Sequence, residues 1–436
     1  MTRWRNFLRG VARAIWFRAV LFTLAGLLLV AATVLASRAF PHAPRFTIGQ
    51  GAVGDILGIL ATSMLAVTTF SLAAMVTAYS SASSSGTPRS TQLLVQDRTS
   101  QNALSTFVGT FAFSILGLIA LSLDLYNETG RTLLFAATLT VVVIVIVTLL
   151  RWIDFLTGFG RHSDIIARVG EAAGVALAHY AEDPRLGAAV WEEPPPDASP
   201  VMHAQQGYLT LLDGPALQTV AERYGLRVWV LRQPGSRVTR GRPIALVQGL
   251  PTDASANATA RDALCRAFVV ERQRTYDQDP RLGLIALSEI ASRALSPAVN
   301  DPGTAIEVLA MLHDVLSVAV AAQAPDRSPA SPEHERVFIR PLPPEELLRN
   351  GFRAIGRDGA GVVEVAGWLQ RELGRLLEVD EGVWRAALVD VAAAARARAE
   401  TALVLQSDRD EVERLHRRAL RFADRPSPLR DGRARE

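Results

Sequence analysis

The sequence predicts a mainly α membrane protein: about four transmembrane helices, followed by a cytosolic α+β region with a helical C-terminal part. Three observations carry this expectation. Four long apolar runs occupy the first third of the chain. Hydrophobic residues make up 49% of its 436 positions, more than an ordinary soluble protein carries. Beyond residue 200, short strand-like pieces separated by Gly and Pro turns give way to amphipathic helical stretches. The expected divisions are a four-helix membrane domain over 1–157, a connecting helix over 158–191, a small mixed module over 201–275, a helical cytosolic domain over 276–424 and a disordered tail over 425–436.

The apolar runs span residues 14–36, 56–79, 104–125 and 132–153, and each exceeds the roughly 20 residues that cross about 30 Å of hydrocarbon as a helix. "SRAFPHAPRF" follows the first run in place of a small-residue cleavage site, so that run reads as a retained span. Arg3, Arg5, Arg9, Arg13 and Arg18 precede it without an acid, and Arg151, Arg161 and Arg168 follow or close the fourth. Positive residues stay on the cytoplasmic side. Both termini are therefore expected in the cytoplasm.

Ionisable residues (Asp55, Asp124, Arg131, Arg151, Asp154) fall near span ends, which argues against a proton relay or ion-coupled pump. The third run instead carries Thr106, Thr110, Ser114 and Gly117 on one face, and the second carries Thr62, Thr68, Thr69 and Ser71. A small-residue face of this kind is either a helix-packing seam or one wall of a hydroxyl-lined path. Between these runs, "STQLLVQDRTSQNAL" is expected to form an amphipathic helix against the membrane or the soluble domain.

After the fourth run, "RHSDIIARVGEAAGVALAHYAE" has helical periodicity, and "WEEPPPDASP" stops it, because three prolines cannot continue a helix. "GYLTLL" and "LRVWVLR" read as strands, with "PALQTVAERYG" a helix between them ending at Gly225. The next segment, "RQPGSRVTRGRPIAL", resembles the hairpin of biotinyl- or lipoyl-type barrels. The attachment lysine of those carriers is missing, so a non-carrier strand-turn module is expected. "PEELLRNGFRAIG", "AGVVEVAGWLQRELGRLLE" and "VWRAALVDVAAAARARAETALVL" read as helices of the C-terminal part, reached through the linker "AQAPDRSPASPEHE".

Composition removes many chemistries. The chain has no lysine, so its 46 basic residues are all arginine. Schiff-base catalysis, a Walker lysine and a lipoyl or biotinyl attachment point are all absent with it. Cys265 is the single cysteine, and the seven histidines show no HExxH or HxxxH pattern, so no disulfide, cofactor or metal site is expected. "GRDGAG" at 356–361 lacks the phosphate-loop lysine. A formal net charge of +3 is too small and dispersed to indicate nucleic acid. The expectation is a protein that is not an enzyme.

One stretch stands apart: "ERQRTYDQDPRLGLIALSEIASRALSPAVNDPGTAIEVLAML", residues 271–312. Each Asp-Pro step, Asp279-Pro280 and Asp301-Pro302, sets a capping carboxylate before a proline at the first helical position. Two helices joined by "SPAVN" follow from this. Glu289 and Arg293 have the spacing of an ion pair. In the alternative reading, Asp277, Asp279, Glu289, Arg293, Ser296, Asn300 and Asp301 converge on a polar pocket for a cation, an anion or a protein segment.

"YSSASSSGTPR" with "LLVQDRTSQNALSTFVGTFAFSILGL", and above all "RALSPAVNDPGTA", resembles the bacterial predicted membrane proteins grouped as domain of unknown function 2254. The resemblance runs from the first span into the C-terminal helices. It implies a membrane protein with a cytosolic domain and brings no activity with it. Two functions are expected from the whole sequence. One is a homo-oligomeric channel- or transport-like assembly regulated by its cytosolic domain, since four spans alone hardly enclose a pore. The other is a membrane-tethered sensor or adaptor that binds a cytosolic ligand or protein partner.

Overall fold

The computed structural model describes residues 15–39, 50–85, 87–90, 98–158, 162–322 and 331–423. Of the amphipathic helix expected over residues 90–104, residues 98–104 belong to the helix Arg98–Ser122, while 91–97, Arg3 to Arg13, most of the linker after Ala322 and the C-terminal tail lie outside the described residues. The chain divides into two compact units, Met1–Asp164 and Ile165–Glu436.

The first unit is built on α1 (Ile15–Ala39), α2 (Gln50–Ser85), α3 (Arg98–Ser122) and α4 (Glu128–Gly158). Each holds most or all of one of the four apolar runs. Helix α3 is the central one, packed on α1, α2 and α4. Its glycines set the approach: a Cβ on Gly109 would lie 3.0 Å from Phe22 Cβ, and one on Gly26 would lie 3.1 Å from the Gly109 carbonyl oxygen. Helices α1 and α3 therefore cross nearly backbone to backbone. At the α3–α4 turn, the hydroxyls of Thr33 and Tyr126 lie 3.0 Å apart and tie α1 to the bundle. The outer surface is apolar, with Leu28, Leu35, Ile59, Phe70, Val143 and Leu150 all exposed. A surface of that kind suits hydrocarbon and not water.

The second unit begins with α5 (His162–Glu182) and then builds two sheets. The larger runs β1 (Ala188–Ala189), β8 (His334–Ile339), β4 (Arg227–Val230), β6 (Ala245–Gln248), β2 (Ser199–Val201), in that spatial order. The smaller runs β5 (Arg237–Val238), β3 (Gly207–Leu212), β7 (Phe268–Glu271). Helix α6 (Gly214–Tyr224) starts at Asp213, which accepts from the Ala216 amide, and ends at Gly225 in the left-handed conformation, φ 67°. This is the helix and the stop that the sequence predicts. Helix α7 (Ala254–Cys265), which the reading of the sequence did not include, packs against α6.

The sheet pairing adds two features. The segment resembling a carrier-type hairpin is not a hairpin: β5 pairs with β3 and β6 pairs with β4, so its two strands enter different sheets. Its Pro-Gly turn makes the change of direction, with Gly235 at φ 86°. The mixed module is also not closed at residue 275, because β8 inserts in parallel between β1 and β4 from beyond two further helices. Leu209, Leu217, Val228, Val247, Val337 and Ile339 form its core.

Those two helices are α8 (Pro280–Ala294) and α9 (Pro302–Ala322), and after β8 come α10 (Pro344–Asp358), α11 (Val363–Val379), α12 (Arg385–Ala402) and α13 (Gln406–Ala423). Helix α5 meets α8 and α9 at glycines, since a Cβ on Gly283 would collide with Ala173 and one on Gly170 with Met311. Five described helices are long and apolar enough to cross a membrane, α1 to α4 and also α9. The sequence reading counted about four. Helix α9 differs from the others in its surroundings, because it packs against both α8 and α11 inside the second unit.

Candidate functional site

The block at 271–312 is positioned by its capping aspartates. Asp279 precedes Pro280, and its Oδ1 accepts from the Arg281 amide at 3.1 Å, the capping geometry that the Asp-Pro step predicts. The same carboxylate is 1% exposed and serves two guanidinium groups. Arg274 Nε donates to Oδ2 at 2.7 Å, and Arg281 Nε lies 3.4 Å from Oδ1. Arg281 continues outward, donating to Glu346 Oε1 of α10 and to the Pro234 carbonyl, each at 2.6 Å. Tyr180 of α5 lies near both: its hydroxyl donates to the Leu342 carbonyl at 3.0 Å and accepts from the Leu342 amide at 2.8 Å. Burial pushes the Tyr180 hydroxyl pKa up, the Leu342 bond only partly opposing it.

This cluster joins α5, α8, α10 and the β4–β5 turn. Gly235 stands against it with positive φ, and any side chain there would collide with the Asp279 carboxylate. A buried carboxylate with two cations around it is stable as a set and costly to break by removing one member. Its chemistry is that of a structural clasp, with the Asp279 carboxylate shared by Arg274 and Arg281 and Arg281 continuing to Glu346.

The other end of α8 is a turn. Asn300 adopts φ 50°, and the amides of Val299 and Asn300 both donate to the Ser296 carbonyl, while that of Asp301 donates to Ala294. Ser296 Oγ donates to the Arg293 carbonyl at 2.7 Å. Asp301 caps α9 through the Thr304 amide at 3.1 Å and the Thr304 hydroxyl at 2.6 Å. Asp277 and Arg293 are exposed.

Glu289 lies between these ends, in a third setting. With Ile285 and Ser288 it forms one wall of a cleft of about 480 Å³, whose other walls carry Arg349, Arg353 and Arg357 of α10 and Arg398 of α12. Arg357 is engaged by Asp358 at 2.6 Å and holds that carboxyl below its ordinary pKa, while the Ser292 hydroxyl of α8 donates to the same carboxylate. The structure therefore distributes the seven candidate residues. Asp279 belongs to the clasp, Ser296, Asn300 and Asp301 to the turn, and Glu289 to the cleft. Asp279 and Ser296 are separated by about 25 Å of helix rise.

Sequence reasoning did not name Arg274, Arg281, Gly235, Tyr180 or Glu346, nor the cleft arginines. One local signal was present for the last group: "EELLRNGFRAIGRD" places arginines at 349, 353 and 357, one face of a helix.

In the first unit, Thr106, Thr110, Ser114 and Gly117 are all buried. The Thr106 hydroxyl donates to its own helix at the Asn102 carbonyl, 2.9 Å away. A Cβ on Gly117 would lie 3.1 Å from Leu57 of α2 and 3.8 Å from Leu134 of α4. Within one chain this face is occupied by neighbouring helices. Gly109, which brings α1 closest, sits on the adjoining face and was not among the expected residues.

A family model described as "Predicted membrane protein (DUF2254)" matches residues 12–375. Uncharacterized proteins of Mycobacterium bovis and Mycobacterium tuberculosis are 28% identical to the chain over 394 residues, covering 87% of this chain and 75% of each relative. No solved structure matches it.

Proposed function

The chain belongs to the DUF2254 family of predicted membrane proteins, and from that premise we propose a multi-pass protein of the bacterial inner membrane whose second unit is a cytosolic, non-enzymatic sensor or adaptor domain. In this reading α1 to α4 are the spans and both termini are cytoplasmic. Helix α9 is a core helix of the cytosolic domain. It carries Glu307 and Asp314, and His313 Nδ1 lies 3.6 Å from the buried Glu372 carboxylate of α11, a setting that hydrocarbon does not offer.

One observation carries the reading. The polar stripe of α3 is enclosed by its own bundle, whereas the second unit opens a cleft lined with cationic side chains. The test is a thermal-shift survey of the full-length protein in detergent against classes of small polar compounds, paired with solute flux in proteoliposomes. Stabilisation by one class without flux is the expected result. Flux without any ligand response would sink the sensor reading.

The second reading, a homo-oligomeric channel- or transport-like assembly regulated by the cytosolic domain, is favoured by α2. Thr62, Thr69 and Thr77 are exposed there, each hydroxyl bonded back to its own helix. Native mass spectrometry from nanodiscs separates the readings, because a monomer leaves those threonines facing lipid. Orientation has its own test. Val404 is 86% exposed, so in a Cys265→Ser background Val404→Cys should resist an impermeant thiol reagent in intact spheroplasts and react after lysis. Labelling before lysis reverses the proposed topology.

A further inference from the structure

Helix α10 carries Arg349, Arg353 and Arg357 at four-residue spacing, which sets successive guanidinium groups about 6 Å apart along the axis on one stripe. Its other face is buried through Leu348, Phe352 and Ile355, so the stripe faces the cleft. Arg398 reaches the same place from α12. Gly356 leaves the room, since a Cβ there would already stand 3.8 Å from Arg398 Nη1.

Three features separate this cleft from an ordinary solvated helix face. Arg349, Arg353 and Arg398 make no ion pair or hydrogen bond among the described residues, while Arg357 is held by Asp358. Four guanidinium groups face one lining carboxylate, Glu289. Ser288, also in the wall, is 3% exposed, and its hydroxyl has no hydrogen-bond partner. Buried hydroxyls are nearly always bonded, so one without a partner on the wall of a cationic cleft points to a ligand atom.

We propose that this cleft binds a phosphate-bearing anion, with the phosphoryl oxygens held by Arg349, Arg353 and Arg398 and a ligand hydroxyl or ester oxygen meeting Ser288. The inference rests on reading the second unit as the ligand-binding part of the protein. A guanidinium presents a planar fork that matches phosphate oxygens two at a time, which the compact ammonium of lysine does not. Among the described residues neither Glu289 of this cleft nor Glu345 and Asp390 of the adjoining one form an ion pair with Arg349, Arg353 or Arg398, whereas a phosphate monoester brings a charge of about −1.5 to −2 at neutral pH directly onto them. The cleft volume is within the range of sites for small molecules. Glu289 on the wall favours a ligand with hydroxyl groups beside its phosphates. A soluble phosphorylated compound and the headgroup of an anionic phospholipid share this chemistry.

The test uses the full-length protein in nanodiscs of phosphatidylcholine, with inorganic pyrophosphate as the probe and isothermal titration as the readout. Saturable binding, weakened at least about tenfold in Arg353→Gln/Arg398→Gln and unchanged in Arg414→Gln on α13, is the expected result. Both arginines lie at a surface, and an unaltered thermal transition of the double variant confirms its fold. A second arm repeats the titration in nanodiscs containing phosphatidylglycerol. Loss of pyrophosphate binding there assigns the site to a lipid headgroup, and retention assigns it to a soluble ligand; either result supports the proposal. Absence of saturable binding in phosphatidylcholine, or equal binding by the double variant, overturns it. Should another class of compound stabilise the protein when pyrophosphate fails, the anion assignment falls and the sensor reading stands.

Discussion

The two units of this chain solve the same packing problem with different polar chemistry. Both bring helices together at glycines: Gly109 admits Phe22 in the first unit, and Gly283 admits Ala173 in the second. They part in the handling of polar groups. In the first unit hydroxyls bond mostly to their own helix, as Thr68 does to Met64 at 2.6 Å and Thr138 to Leu134 at 2.8 Å. In the second, charged groups are gathered between elements, as in the clasp of Arg274, Asp279, Arg281 and Glu346. A backbone-satisfied hydroxyl is indifferent to what lies outside the helix. A buried carboxylate depends on partners that only the assembled fold supplies.

The sharpest test of that difference is Asp279→Ala. It leaves Arg274 and Arg281 facing each other, removes a helix cap, and should destabilise the second unit by about 3–5 kcal/mol, read as a lowered denaturation midpoint. A loss of only about 1 kcal/mol would mean that the cap alone was lost and that the clasp contributes nothing. Next in size is Gly109→Leu. Overpacking a close helix crossing costs about 1–3 kcal/mol, and thermal unfolding in detergent should show it, while Leu65→Ala on the exposed face should leave the transition in place. Equal effects from the two would break the account of α1 and α3 as a glycine crossing.

Asp301→Ala sharpens the comparison within the block itself. Asp301 caps α9 as Asp279 caps α8, accepting from the amide and hydroxyl of Thr304. The expected loss is about 0.5–2 kcal/mol, the value of a cap, measured in the same denaturation series. A loss as large as that of Asp279→Ala would place Asp301 in a wider network.

How much of this was legible in the sequence follows from the range of each interaction. The long apolar helices were visible because a run of apolar residues declares itself locally, and so did the Asp-Pro caps and the Gly225 stop. Strand β8 left no such mark. Its pairing of Val337 with Val228 and Ile339 with Val230 joins segments separated by three helices. The clasp was half visible: Asp279 stood out beside Pro280, but its role depends on Arg281 reaching Glu346, 65 residues away. Helix α9 shows the reverse difficulty, since an apolar core helix and a span share one composition and differ only in what surrounds them. For the cleft, the α10 arginine stripe was readable, and the arrival of Arg398 and the α8 wall was not.

The smallest expected effect concerns His416 on α13, and it depends on sign. Its ring Nδ1 lies 3.0 Å from Gln370 Oε1 of α11, and Gln370 Nε2 in turn donates to the Ala392 carbonyl of α12 at 3.0 Å. Burial lowers the His416 pKa below the ordinary histidine value of about 6.5, Glu413 opposes the shift and Arg396 adds to it. The folded chain therefore binds this proton less readily than the unfolded chain does. The contribution is complete above about pH 6.5 and is lost as pH falls through the folded value. The carboxylates act lower down: Glu413, lowered from 4.5 chiefly by Arg417, and Asp358, lowered from 3.8 chiefly by Arg357, stabilise above those ordinary values and lose that effect only in stronger acid. The two windows are distinct, so a series of thermal transitions between pH 7.5 and 5 isolates the histidine. The midpoint should fall across that interval in the wild type and stay nearly level in His416→Gln. Equal slopes would move the acid sensitivity of the second unit away from the α11–α12–α13 packing and onto its other ionisable groups.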